Sequence, residues 1–171
     1  MGKITKILVD EHKNILKLTE FIEKECESEK DIDKDFFIKV VYFIRNYADK
    51  FHHAKEEDIL FVELSKDEVQ LHCNPIDQML HEHEQGRNFV KETEIGIMQS
   101  NNKKIIENMQ GYVNLIREHI YKEDNILYPM SDEALDKKTE QSILDRFSKA
   151  EKIRSKDKKK CLLIIKEFEK R

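Results

Sequence analysis

Four stretches of this chain repeat an apolar residue every three or four positions, and on each a histidine interrupts the apolar stripe. A period near 3.6 commits a segment to an amphipathic α-helix, whose stripe must be buried against another element. The first stripe is Leu8, Ile15, Leu18 and Ile22, with His12 between Leu8 and Ile15. The second begins after Asp31 or Asp33, either of which can cap the free amides. It runs through Phe37, Val41, Ile44, Ala48, Phe51, His52, Glu56 and Ile59. Residues 65–74 lose the period and read as a loop, and Pro75 suits the first turn of a third helix along Ile76, Met79, Leu80, His83, Val90 and Ile97. Ser100-Asn101-Asn102 breaks that helix. The fourth carries Ile105, Met109, Tyr112, Leu115, Ile116, His119, Glu123 and Ile126 as far as Pro129, which is expected to end it. Beyond Ser131, residues such as Leu135, Ile143, Phe147, Ile153, Leu163 and Phe168 mark a fifth helix, with or without a break.

Long amphipathic helices joined by short loops predict an all-α fold. We expect an up-down-up-down four-helix bundle over residues 1–130, with an additional C-terminal helical extension over residues 131–171 packed on it. Only four Gly and two Pro interrupt the chain, which suits helices rather than a turn-dense β fold. Basic and acidic residues, 31 against 35, are interleaved, so nucleic acid is not an expected partner, and the basic run from Lys152 to Lys160 reads as a solvated helix face. No stretch has the ~18 apolar residues of a membrane span, and no signal peptide is evident. Cys26, Cys73 and Cys161 are odd in number and far apart, which argues against a disulfide framework or a thiolate zinc site and for a reducing cytoplasm.

In such a bundle the stripes face a common axis, and six ionisable side chains converge there: His12, His52, Glu56, His83, His119 and Glu123. Groups of this kind are costly in a hydrocarbon core unless something satisfies them. Two gapless ten-residue stretches, His52 to Phe61 and His119 to Tyr128, both read His-x-x-Lys-Glu-acid-x-Ile-Leu-aromatic, so each sets an imidazole and a carboxylate four apart on one helix face. Three His-x-x-x-Glu pairs occur where composition predicts roughly one, so the repeated context carries more weight than the spacing. Imidazole with carboxylate suits iron, manganese or zinc, and the lack of thiolates and of an acidic loop disfavours copper(I) and calcium. The donors exceed the needs of one ion. Glutamates on opposite helices could bridge two ions about 3.5–4 Å apart, and a di-iron centre is the economical solution.

The reversed order, His before Glu, and its surroundings resemble the hemerythrin-like family, also called the HHE cation-binding domain. The resemblance rests on Asp10-Glu11-His12, on His52 to Phe61, on Glu82-His83-Glu84-Gln85-Gly86-Arg87 and on His119 to Pro129, and covers about residues 5–130. It implies that His12, His52, His83 and His119 are terminal iron ligands and that Glu56 and Glu123 bridge two non-heme irons. In hemerythrins proper the third helix contributes another histidine one turn earlier, a place held here by Met79. His53 is the candidate for the missing ligand, about 100° round the helix from His52 and about 60° from Glu56. The register pairing His53 with Glu57 breaks the match between the two repeats and ranks lower. His81 and the loop residue His72 are expected at the surface, and Tyr112, Tyr121 and Arg87 either donate hydrogen bonds near the site or are ordinary packing and surface residues.

The resemblance implies binding of dioxygen, or another small diatomic such as nitric oxide, for oxygen binding, storage or sensing, rather than catalysis. A di-iron enzyme or repair protein acting on peroxide, nitric oxide or damaged iron centres is the alternative. The cysteine-bearing N-terminal extension of some repair proteins does not occur here. A metal-free helical interaction module is the third reading.

Overall fold

The structure is a computed structural model that describes residues 1–171 except 29, 30, 70 and 72, so the expectation for His72 lies outside the described residues. Among the described residues there are five helical rods. Helix α1 is Lys3–Cys26. Helix α2 spans residues 34–64, beginning as the α-helix Lys34–Phe43 and ending as Phe61–Leu64, with π-helical turns Ile44–His53 and Glu56–Leu60 between. Helix α3 is Ile76–Met98. Helix α4 spans residues 102–134, with the π-turn Glu123–Leu127 joining Asn102–Lys122 to Tyr128–Ala134. The unbroken helix Lys137–Phe168 is α5. Among the described residues no helix is long and apolar enough to cross a membrane.

Short side chains start three of these helices by accepting from amides that have no partner inside the helix. Asp33 accepts from Phe36 N at 3.1 Å, Asn101 from Lys104 N at 3.0 Å and Asp136 from Thr139 N at 2.7 Å. Pro129 does not end α4, contrary to the sequence expectation. The π-turn before it resets the hydrogen-bond register, so Pro129 falls in the first turn of Tyr128–Ala134, where its missing N–H is not needed. The chain leaves the helix instead at Leu135, whose backbone is extended.

Two apolar clusters fill the bundle, one at each end, and their membership gives the directions of the helices. One holds Ile22, Phe37, Phe43, Val90 and Ile105, and the other Leu8, Leu64, Ile76, Met79 and Leu127. Chain order therefore alternates between the two ends from α1 to α4, which is the up-down-up-down topology. Helix α5 runs from Ile143 and Phe147 in the second cluster to Cys161 and Phe168 in the first, and packs on α1 and α2. Some stripe residues turn outward: Leu80, Ile126, Ile153 and Leu163 are exposed. Between the two clusters, at mid-height on every bundle helix, lies a band of buried polar side chains.

Candidate metal centre

The band resolves into two groups of inward-facing donors. His12, His52, Glu56 and Glu123 form one, and His53, His83 and His119 the other, each with ligand atoms mutually within 4.8 Å. All seven residues are buried. The two carboxylates lie between the groups. Glu56 Oε2 is 3.7 Å from His52 Nε2 on one side and 3.7 Å from His83 Nε2 on the other. Glu123 Oε2 is 3.2 Å from His12 Nε2, and its Oε1 is 3.2 Å from His119 Nε2. His53 belongs to the second group because of the π-helical backbone at Ile44–His53. Bonding i to i+5 places more residues in each turn, so neighbours are less than about 100° apart and His52 and His53 both face inward.

Four of the five imidazoles are held from behind by a carboxylate. His12 Nδ1 meets Asp124 at 2.8 Å, His52 Nδ1 meets Glu11 at 2.9 Å, His83 Nδ1 meets Glu57 at 2.6 Å and His119 Nδ1 meets Glu82 at 2.9 Å. Three cations hold those carboxylates in turn: Lys55 binds Glu11, Lys122 binds Glu82, and Arg87 donates to Glu57 at 2.6 Å. An ionised carboxylate only accepts, so each of these Nδ1 atoms carries the proton and each Nε2 presents a lone pair. The lone pairs face one another, His12 to His52 at 2.9 Å and His83 to His119 at 3.0 Å. Two opposed lone pairs at that distance repel unless a proton or a cation sits between them.

The electrostatics of the bare protein carry the same demand. Burial and the neighbouring Glu123 charge push the Glu56 carboxyl well above its ordinary range, against a hydrogen bond from Tyr128 Oη at 2.5 Å. Burial would also raise Glu123, but the His119 and His12 imidazoles beside it hold it well below the usual value. Burial with the nearby His12 lowers His52 to about 4, whereas the Glu123 and Glu82 carboxylates outweigh burial at His119 and raise it to about 9. Glu56 Oε2, both Glu123 oxygens and His53 Nδ1 are buried with no hydrogen-bond partner. Buried polar atoms in such number call for an occupant, and imidazole nitrogens with carboxylate oxygens are donors for a transition-metal or zinc ion.

The six residues named from the sequence are therefore brought together, and His53 joins them. His81 and Tyr121 are exposed. Arg87 touches Glu57 and, at 2.9 Å, Asp49. Sequence reasoning gave no role to Tyr128, which stacks on His12 at 5.6 Å between centroids, or to the outer acids Glu11, Glu57, Glu82 and Asp124. A signal for them existed: Lys55 and Lys122 hold the same place in the two repeats, as do Glu57 and Asp124, and Glu11 and Glu82 each precede a stripe histidine.

An antiparallel helical bundle whose dry middle is lined by imidazoles and carboxylates is the architecture of a cation-binding domain. The family model described as Hemerythrin HHE cation binding domain matches residues 3–131, and the chain belongs to that family. No match emerges among curated proteins or among solved structures.

Proposed function

We propose that the chain is a non-heme di-iron protein that binds dioxygen, or another small diatomic such as nitric oxide, for oxygen binding, storage or sensing. In this reading His12 and His52 are terminal ligands of one iron and His53, His83 and His119 of the other, with Glu56 and Glu123 bridging. The observation that carries it is the division of the donors into two groups with both carboxylates set between them. His53 supplies from α2 the imidazole that Met79 does not supply from α3. The mixed nitrogen and oxygen set suits iron, manganese and zinc alike, and membership of the family favours iron.

Bound ferrous iron with a free coordination position supplies the affinity for diatomic gases. The chain's part is to fix the donors and keep water away. The outer acids orient four imidazoles, Tyr128 donates to Glu56, and the two apolar clusters seal the band above and below. Residues 1–130 act as the binding unit, the C-terminal extension as a cover, and a reducing compartment such as the cytoplasm suits the three unpaired cysteines.

Anaerobic loading with ferrous iron tests this directly. The expected result is two irons per chain and a new visible absorption band on admitting air. One iron per chain would refute the bridged pair, and two irons with no optical response to air or nitric oxide would refute gas binding.

A further inference from the structure

Charge is divided unevenly between α5 and the rest of the chain. Residues 137–171 carry 13 basic side chains against 6 acidic, and residues 1–136 carry 18 against 29. Much of the basic excess lies on one face of α5. Lys149, Lys152, Lys156 and Lys159 are exposed and follow one another at spacings of three and four, so they form a stripe about 15 Å long on the side turned away from α1 and α2. Other cations of α5 are neutralised: Arg146 meets Glu63 at 2.9 Å, Arg154 meets Asp157 at 3.7 Å and Lys158 meets Glu151 at 3.3 Å. The four stripe lysines have no ion pair among the described residues. Two apolar side chains protrude with them. Ile153 stands beside the stripe, 79% exposed, and Leu163 continues it four residues past Lys159, 63% exposed.

Helix stability does not account for this arrangement. Like charges three and four apart on a helix repel, and a solvated face, the sequence expectation for this run, ordinarily interleaves both signs. The stripe instead fits an anionic surface, and two features select lipid over nucleic acid. It is lysine throughout, without the arginine, amide or aromatic side chains that read base edges or stack on bases. Its two apolar side chains would face phosphate on a duplex. At a bilayer they would enter the boundary between headgroups and acyl chains while the lysines reach the headgroups. No described helix is long and apolar enough to cross a membrane, so such a contact is peripheral.

We propose that the outer face of α5 docks on an anionic bilayer surface, lying lengthwise with the four lysines against acidic headgroups and with Ile153 and Leu163 inserted between them. Residues 1–136, with their acidic excess, are repelled by the same surface. Because α5 packs on α1 and α2, the chain then stands with those helices nearest the lipid and the α3–α4 half outward. The attachment goes beyond the di-iron reading and does not depend on it.

Sedimentation of the intact chain with lipid vesicles at physiological ionic strength tests this. Vesicles of phosphatidylcholine mixed with phosphatidylglycerol should carry the protein down, and vesicles of phosphatidylcholine alone should not. Each lysine near an anionic surface is worth about fivefold in partitioning, so Lys152→Gln, Lys156→Gln and Lys159→Gln together should weaken binding about a hundredfold. Ile153→Ser with Leu163→Ser should weaken it severalfold, through the apolar area that no longer leaves water. All five positions are exposed, so circular dichroism and melting of these variants should match the parent. Failure of the parent to sediment with the acidic vesicles, or equal sedimentation of the triple variant, would overturn the proposal. Tighter binding to a DNA duplex than to the acidic vesicles, unaltered by the two serine changes, would overturn it too and make the stripe a nucleic-acid contact.

Discussion

The α1–α2 half and the α3–α4 half of the bundle carry the same relay in different surroundings. In each, a lysine three residues after the helix histidine binds a glutamate from the partner helix, and that glutamate holds the histidine: Lys55–Glu11–His52 and Lys122–Glu82–His119. Lys55 is completely buried, whereas the Lys122 side chain is 33% exposed. The cause is α5, which lies over α1 and α2 and sets Phe147 beside the Lys55 ammonium, 5.4 Å from the ring centroid. Phe51 lies under the same ammonium at 4.0 Å. The next apolar position of the repeat shows the same contrast, since Ile59 is buried and Ile126 exposed. Identical motifs thus end in unlike dielectric surroundings because of an element outside both.

The hardest test of the shared design removes one of the two carboxylates that the proposed di-iron centre would share. Glu56→Ala and Glu123→Ala should each abolish two-metal loading and lower the melting temperature of the loaded protein, because a ion held only by the folded state stabilises it. Metal stoichiometry and calorimetry report both effects, and two ions per chain in either variant would remove that glutamate from the bridge. Next in size, the relays should separate in the metal-free protein. Lys55→Ala strands the Glu11 carboxylate in a dry place and should cost about 3–5 kcal/mol in urea unfolding, whereas Lys122→Ala should cost under about 1 kcal/mol at its partly wet site. Equal losses would mean that α5 does not set the difference. Smaller again, Tyr128→Phe makes that position match Phe61, its counterpart in the first repeat, which stacks on His83 as Tyr128 does on His12. The loss of the bond to Glu56 should cost about 1–2 kcal/mol.

What the residues disclosed and what they hid follow from the range of the interactions. Stripes and caps are local, so the helix count, the loop near Pro75 and the break at Asn101 could be read along the chain, whereas the break at Asp136 was expected at Pro129. Inward aim is local too, and it brought His12, His52, His83 and His119 to one band. The outer acids are not local: Asp124 serves His12 from 112 positions away, so the repeat marks it as a recurring position while only the pairing of α1 with α4 shows which imidazole it holds. The π-turns were hidden for another reason. They shift backbone hydrogen bonds by one residue without changing composition, and that shift moves His53 inward and carries α4 past Pro129.

His53 is where the two halves differ most at the centre itself, since the second repeat has Ile120 in its place. That isoleucine packs into the apolar cluster, while the His53 ring lies on His83 and within 5.9 Å of His119. Burial and three neighbouring imidazoles push His53 well below its ordinary pKa, so it is neutral and free to donate a lone pair. With no carboxylate to orient it, it should be the most weakly fixed of the donors, and its removal the gentlest of these changes. On the proposed di-iron reading, His53→Ala should keep two irons, because Glu56, Glu123, His83 and His119 remain, but should alter the visible spectrum after oxygenation, because one nitrogen donor is lost on that side. An unchanged spectrum would take His53 out of the coordination sphere and leave the two repeats contributing equally, two imidazoles and one carboxylate from each half.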